Sequence, residues 1–368
     1  MPAIVWSPLA DYHTSQGAVL GEYHGAVVPT RFTAPEAEYA AVRSAAGLFD
    51  FSFRCKFAVK GPDRVRFLQG MLTNDVKMVL PGQGTYAAVL NAQGRLLADL
   101  RVYREEDSYL IDTDADLRDK VLATLNHFII MDQVELKPLE LYALAFQGPR
   151  SRALLEKTLH IDIPAMNEFE HFVTNYGGFP VRVVCASSTG EEGFEVWTPA
   201  QGVAAVWGAA CGQAPTYAML PCGTEALEML RIEAGIPRYG PDLDEDTLLL
   251  EAGLLNAVSF TKGCYVGQEI VERVRTQGHV NWKLVGLITE AAPPPPAGEK
   301  LMKEGKPVGE VTSACFSPYL RKSIALAYVR REAADPSGQL SLASGPGALV
   351  TPLPFYRRAP SSRYPTTQ

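Results

Sequence analysis

Several patterns that would decide the chemistry at once are missing from this chain. None of its 6 cysteines stands in a CxxC pair, which excludes a zinc ribbon and a dithiol redox motif. Six thiols in 368 residues do not make a disulfide scaffold, so reduced thiols in a cytoplasmic protein are expected. Histidine is scarce, with 6 residues and no cluster, and His24 and His127 read as structural residues rather than metal ligands. Walker loop, HExxH and GxSxG are all absent. Met1 to Gly17 lacks a basic start followed by an apolar core, so no signal peptide is expected. The long uncharged stretch Val196 to Thr224 is broken by Pro199, Gly202, Gly208, Gly212, Pro215 and Pro221, which argues against a membrane helix. Positive charge is the minority: 34 Lys and Arg against 41 Asp and Glu give a net charge of −7, a poor balance for general nucleic-acid binding.

What is present is the composition of a folded globular protein, 47% apolar and 20% charged. The length suits two or three domains. Pro35 to Ala46 reads as a helix, with Pro at its start, acids in the first turn, Arg43 late and Gly47 after the end. Pro62 to Leu72, Asp116 to Ile129 and Gly223 to Ala234 read likewise, and Pro149 opens another helix. Tyr86 to Leu90 and Leu96 to Tyr103 form a hairpin about the turn-like Asn91-Ala92-Gln93-Gly94. After about Gly278 the character changes. Lys283 to Ile288, Pro307 to Thr312 and Ile324 to Val329 are short β segments between Gly- and Pro-rich turns, as in a small barrel or sandwich. Pro293 to Pro296 has the composition of a stiff linker, but the strand at Lys283 places it in a loop of the last domain. The polar tail after Arg358 reads as a frayed end.

Two segments invite a chemical reading. Gly82-Gln83-Gly84-Thr85-Tyr86-Ala87 matches a loose dinucleotide fingerprint, but a hairpin follows where a phosphate cradle needs a helix. Lys262-Gly263-Cys264-Tyr265-Val266-Gly267-Gln268-Glu269 is more informative. A cation two residues away, or a helix beginning at the second glycine, would raise the thiolate content of Cys264. The plain alternative is a small buried cysteine in a glycine turn. Arg273 and Arg275 follow closely, either as a basic patch or as a solvated strand face.

The run KGCYVGQE resembles the signature of the YgfZ family, folate-binding proteins linked to iron–sulfur cluster assembly and repair. The resemblance extends to the larger T-protein (aminomethyltransferase) superfamily over roughly Leu9 to Arg358. It rests on AGLFD (46–50), Asn74-Asp75-Val76, LNAQG (90–94), GEEGFE (190–195), LRIEAG (230–235) and Ser317-Pro318, all in the shared order. It implies an α+β fold of three domains around a central folate-sized hole. The expected division is residues 1–50 with 140–278, then 51–139, then a C-terminal β barrel at 279–358, with a tail at 359–368.

The resemblance also implies tetrahydrofolate as the ligand. Glu195 would clamp the amino edge of the pterin, Tyr86 would line the pocket, and Arg231 and Arg357 would reach the cofactor, with Tyr239 a further candidate. One departure stands out. Aminomethyltransferases carry two aspartates after the LNxxGG turn, the first of them catalytic, and here that first position is Ala98. Asp99, one residue on in a strand, is expected to face away from the site. Hence the reading of a folate-dependent iron–sulfur maintenance factor with Cys264 as its functional thiol and Lys262 as the cation beside it. Its partners would be iron–sulfur client or assembly proteins, including radical enzymes that modify transfer RNA, with no direct nucleic acid and no membrane. A single thiolate cannot hold a cluster by itself. The alternative is a folate-dependent aminomethyltransferase or demethylase. A third reading is a module that has lost its ligand.

Overall fold

The computed structural model describes residues 4–276, 278 and 280–358; the tail expected to fray lies outside them. Its centre is a six-stranded sheet. The order is His171–Tyr176, Phe179–Cys185, Gly193–Thr198, Tyr142–Gln147, Ala46–Asp50 and Met219–Cys222. The inner strands AGLFD and GFEVWT are buried at every residue, which is why they read as near-continuous apolar runs. On one face Leu48, Leu144, Phe146 and Val196 pack against Leu154, Leu155 and Trp207 of helices Ser151–Leu159 and Ala200–Gly212. On the other, Phe49, Ala145 and Trp197 meet Val42, Leu227 and Leu230. Between its strands Ala46–Asp50 and Tyr142–Gln147 the chain leaves this sheet to build a second one, and then returns.

That second sheet has five strands, in the order Gly84–Leu90, Leu96–Arg104, Tyr109–Asp114, Arg54–Lys60 and Glu135–Leu139. Its hairpin falls at the Asn91–Gly94 turn. Period-2 alternation gives it two unlike faces. Ala98, Leu100 and Val102 join Phe57, Val59, Phe67, Leu68, Val121 and Leu125 in a core beneath helices Arg64–Met71 and Arg118–Phe128. Asp99, Arg101 and Tyr103 therefore stand on the face away from those helices.

The C-terminal strands close into a six-stranded barrel, Trp282–Thr289, Lys322–Arg330, Lys306–Ser317, Lys300–Lys303, Gln339–Leu342 and Gly347–Thr351. Leu287, Leu301, Val311, Ala327, Val329 and Val350 fill it. Pro293 to Pro296 lies between its first two strands in sequence, inside the barrel unit. Arg273 and Arg275 stand on a helix, Gln268–Thr276, not on a strand. Glu269–Arg273 at 2.6 Å and Glu272–Arg275 at 3.3 Å pair at helical spacing, a signal that outweighs the β-branched residues of the segment. Among the described residues no helix is long and apolar enough to cross a membrane. The uncharged stretch forms the 13-residue helix Ala200–Gly212 and its neighbours.

Candidate functional site

The two α+β sheets and the barrel meet around a cavity of about 430 Å³, a small-molecule volume. Arg54, Tyr86, Asp99 and Arg101 reach it from the five-stranded sheet, Phe51 and Phe53 from the connection between the sheets. Leu284 and Leu353 come from the barrel end. The walls mix aromatic and aliphatic side chains with charged ones, among them Arg54, Asp99, Arg101, Asp114, Arg231 and Arg238.

The floor is a buried charge network. Arg54 donates to Asp112 Oδ2 from Nη2 at 2.6 Å and to Asp114 Oδ1 from Nη1 at 2.7 Å. Lys56 Nζ lies 3.4 Å from the same Asp112. Arg101 donates to Glu195 Oε1 at 2.5 Å, and Trp197 Nε1 donates to Glu195 Oε2 at 2.9 Å. Asp99 accepts a hydrogen bond from the Tyr86 hydroxyl at 2.8 Å. Burial, and then repulsion from Asp114, raise the Asp99 pKa, while Arg54 and the Tyr86 hydrogen bond act the other way. Burial and the Asp99 charge likewise hold the Tyr86 phenol well above its usual range.

Asp99 corrects the sequence reading. Alternation does put Ala98 and Asp99 on opposite faces, but it is Ala98 that is sealed in the helix-covered core and Asp99 that lines the cavity. A methyl at 98 is what the core wants, and a carboxylate is still supplied to the cavity.

Of the other predicted residues, Tyr86, Arg231 and Tyr239 line the cavity, whereas Glu195 and Arg357 do not. Glu195 is fully buried behind Arg101. Arg357 is exposed. The Arg231 guanidinium is engaged by Glu228 at 2.7 Å, Asp242 at 2.6 Å and Ser313 at 2.7 Å, which ties the helix Thr224–Glu233 to the barrel. Tyr239 accepts from Lys120 Nζ at 2.8 Å. Sequence reasoning missed Arg54, Arg101, Glu168 and Arg238, whose only signal is charge within otherwise apolar strands and turns. His24 also lines the cavity, with Nδ1 3.3 Å from Asp114 and 3.2 Å from Asp116. Arg238 on its other nitrogen at 3.1 Å and Arg54 on Asp114 already match that charge, so the trio is an ion-pair node rather than a metal centre.

The KGCYVGQE segment lies beside the cavity hairpin. Lys262 Nζ donates to the carbonyls of Gln69 at 2.8 Å, Leu72 at 2.5 Å and Asn74 at 2.9 Å, at the C-terminal end of helix Arg64–Met71 where a cation is favoured. Burial lowers its pKa to about 8. Cys264 is exposed and does not line the cavity. Gly267 has φ +84°, and a Cβ there would sit 2.7 Å from Asn91 O and 3.2 Å from Gly94 Cα. The segment thus clamps the turn that launches the Asp99 strand. Gly267→Ala is expected to cost about 1–3 kcal/mol in urea unfolding, from strain and crowding together; an unchanged midpoint would refute the clamp.

The site is thus a carboxylate hydrogen-bonded to a tyrosine in a cavity of small-molecule size. The comparisons supply its kin. The chain matches the GCVT N-terminal domain over residues 9–262 and the glycine cleavage T-protein C-terminal barrel domain over residues 283–357. It is 33% identical over 361 residues to an aminomethyltransferase of Desulforamulus reducens, covering 96% of this chain and 98% of that one. To an aminomethyltransferase of Rubrobacter xylanophilus it is 36% identical over 355 residues, covering 96% and 94%. The crystal structure of glycine cleavage system aminomethyltransferase T from Bartonella henselae matches with a TM-score of 0.89 at 27% identity, over 96% of this chain and 98% of that one. The chain belongs to the glycine cleavage T-protein family. These relatives are aminomethyltransferases rather than YgfZ proteins.

Proposed function

We propose that the protein is a folate-dependent one-carbon transferase of the aminomethyltransferase type, with Asp99 as its working carboxylate. The observation that carries this reading is the position of Asp99 in the cavity, hydrogen-bonded to Tyr86. The cavity volume and the aromatic walls of Phe51, Phe53 and Phe169 suit a folate. Bound tetrahydrofolate would supply the nitrogen that accepts the one-carbon unit. Asp99 would hold or take up a proton at its carboxylate, and its raised pKa moves it toward the pH at which proton transfer is efficient. Tyr86 fixes its rotamer. The proposed division into units at 1–50 with 140–278, 51–139 and 279–358 gives the catalytic strand to the middle unit. The test is direct. The purified protein is expected to bind tetrahydrofolate by calorimetry and to form methylenetetrahydrofolate from an aminomethyl donor; no binding at micromolar folate sinks the reading.

The iron–sulfur maintenance reading keeps one observation in its favour, the exposed Cys264 within KGCYVGQE, open to a client or assembly protein. The two readings separate on Cys264→Ala. Folate-dependent transfer is expected to survive that change, because the thiol does not line the cavity.

A further inference from the structure

The strand that carries Tyr86 runs at the edge of its sheet. Gly84–Leu90 pairs with one strand, Leu96–Arg104, and its outer side has only a bridge from Val89 to Leu72. Two neighbouring residues complete that side. The Thr73 hydroxyl accepts from Ala88 N at 2.8 Å, and Thr73 N donates to Ala88 O at 3.1 Å. Asn74 Nδ2 donates to Tyr86 O at 2.8 Å. The same two residues hold the segment that follows Leu254. Thr73 Oγ1 donates to Ala257 O at 2.6 Å, and Asn74 Nδ2 to Asn256 O at 2.9 Å. Leu254 and Asn256 line the cavity, as Tyr86 does.

Lys262 sets the course of these two residues. An ammonium has three N–H donors, and here each meets a carbonyl, those of Gln69, Leu72 and Asn74. Leu72 and Asn74 flank Thr73, so the ammonium brackets it from both sides. Lys262 is 8% exposed, and the Tyr265 ring lies 5.0 Å from its nitrogen. Asp75 acts on it through charge without a direct contact. Burying an ammonium is costly. The three carbonyls are what this one is buried for. From Asn74 the path to the site needs two further contacts, Asn74 Nδ2 to Tyr86 O and the Tyr86 hydroxyl to Asp99 at 2.8 Å.

We propose that Lys262 is a positioning residue for the Asp99 chemistry: its ammonium fixes the 72–74 turn, and Asn74 passes that constraint to Tyr86. This rests on the aminomethyltransferase reading and deepens it. Without the ammonium the three carbonyls lose their common donor, the turn is free to move, and the Tyr86 strand loses its outer support. The Tyr86 hydrogen bond to Asp99 then loosens. That bond lowers the Asp99 pKa, so its loss raises it. Cys264, two residues further on, has no part in this path.

The experiment takes the full chain as wild type, Lys262→Met, Asn74→Ala and Asp99→Asn, and has two readouts. The first is a carboxyl NMR titration of the ligand-free protein, with the Asp99 signal assigned by its loss in Asp99→Asn. Lys262→Met and Asn74→Ala are each expected to raise the Asp99 pKa by about 0.5 to 1, the scale of one lost hydrogen bond. The second is folate-dependent one-carbon transfer. Lys262→Met is expected to lower kcat about 10- to 100-fold and to leave the tetrahydrofolate Kd within about threefold. In the Asp99→Asn background the same change is expected to cost less than about threefold, because no carboxylate is left to position. An unmoved Asp99 titration, or an equal loss of kcat in both backgrounds, overturns the positioning role. A wild type that transfers no one-carbon unit while the titration moves as expected overturns the transferase reading and keeps the link from Lys262 to Asp99. If Lys262→Met does not fold, Asn74→Ala, which keeps the ammonium and its three carbonyls, decides by the same two readouts.

Discussion

Asp99→Asn is expected to lower one-carbon transfer about 10²- to 10⁴-fold, the usual contribution of a positioned proton-transfer group. Folate affinity is expected to stay within about threefold, since Asn keeps the oxygen that accepts from Tyr86. The same substitution is expected to stabilise the protein at neutral pH. Burial and Asp114 raise the Asp99 pKa in the folded chain, so ionisation is disfavoured there relative to the unfolded chain. Below the unfolded value of about 3.9 both states hold the proton and the residue is neutral in its effect. As pH rises from there to the higher folded pKa, the unfolded state releases its proton first and native stability falls. Above the folded pKa the whole penalty is present, and each tenfold loss of acidity on folding costs about 1.4 kcal/mol. Asn never ionises and escapes it. Urea unfolding of both proteins between pH 3.5 and 8 is expected to show a gap that opens with rising pH. A variant that is less stable at pH 7, or fully active, would remove Asp99 from the centre of the site.

The second large effect lies one strand away. Glu195→Ala is expected to cost about 3–5 kcal/mol, because it leaves the Arg101 guanidinium without its closest carboxylate and the Trp197 N–H without an acceptor. Asp112, 3.8 Å from Arg101, is already engaged by Arg54 and Lys56 and offers little relief. Arg101→Met alone is expected to cost a similar amount by stranding Glu195. The double variant Arg101→Met/Glu195→Ala is expected to recover much of the loss, since neither charge then remains buried alone. Additive losses in that cycle would mean that the pair is not the unit the geometry describes.

These two expectations mark where the sequence was readable and where it was not. The Asn91–Gly94 hairpin was legible because turn chemistry and period-2 patterning are local. So was the barrel after Gly278, where short strands and Gly/Pro turns repeat. Arg273 and Arg275 read from the sequence as a basic patch or a solvated strand face; their ion pairs with Glu269 and Glu272 belong to a helix. Lys262 sits two residues from Cys264 in sequence, yet its ammonium is taken up by three carbonyls nearly two hundred positions away. No spacing rule reaches that far. Glu195 looked available because Arg101, ninety-four positions earlier, carries no local sign of being its partner.

The sequence by itself determined the T-protein superfamily, most of the strands and helices, the barrel, and the fact that positions 98 and 99 face opposite ways. Those follow from periodicity, turn residues and motif order, which are properties of neighbouring residues. Only the tertiary structure decided which of the two faces meets the ligand. The helices Arg64–Met71 and Arg118–Phe128 cover one side of the five-stranded sheet and bury Ala98, and that leaves Asp99 to the cavity. The same holds for the carboxylates. Which one is neutralised and which one is left free depends on the cation that packs beside it, and packing between distant segments is not encoded in any one of them.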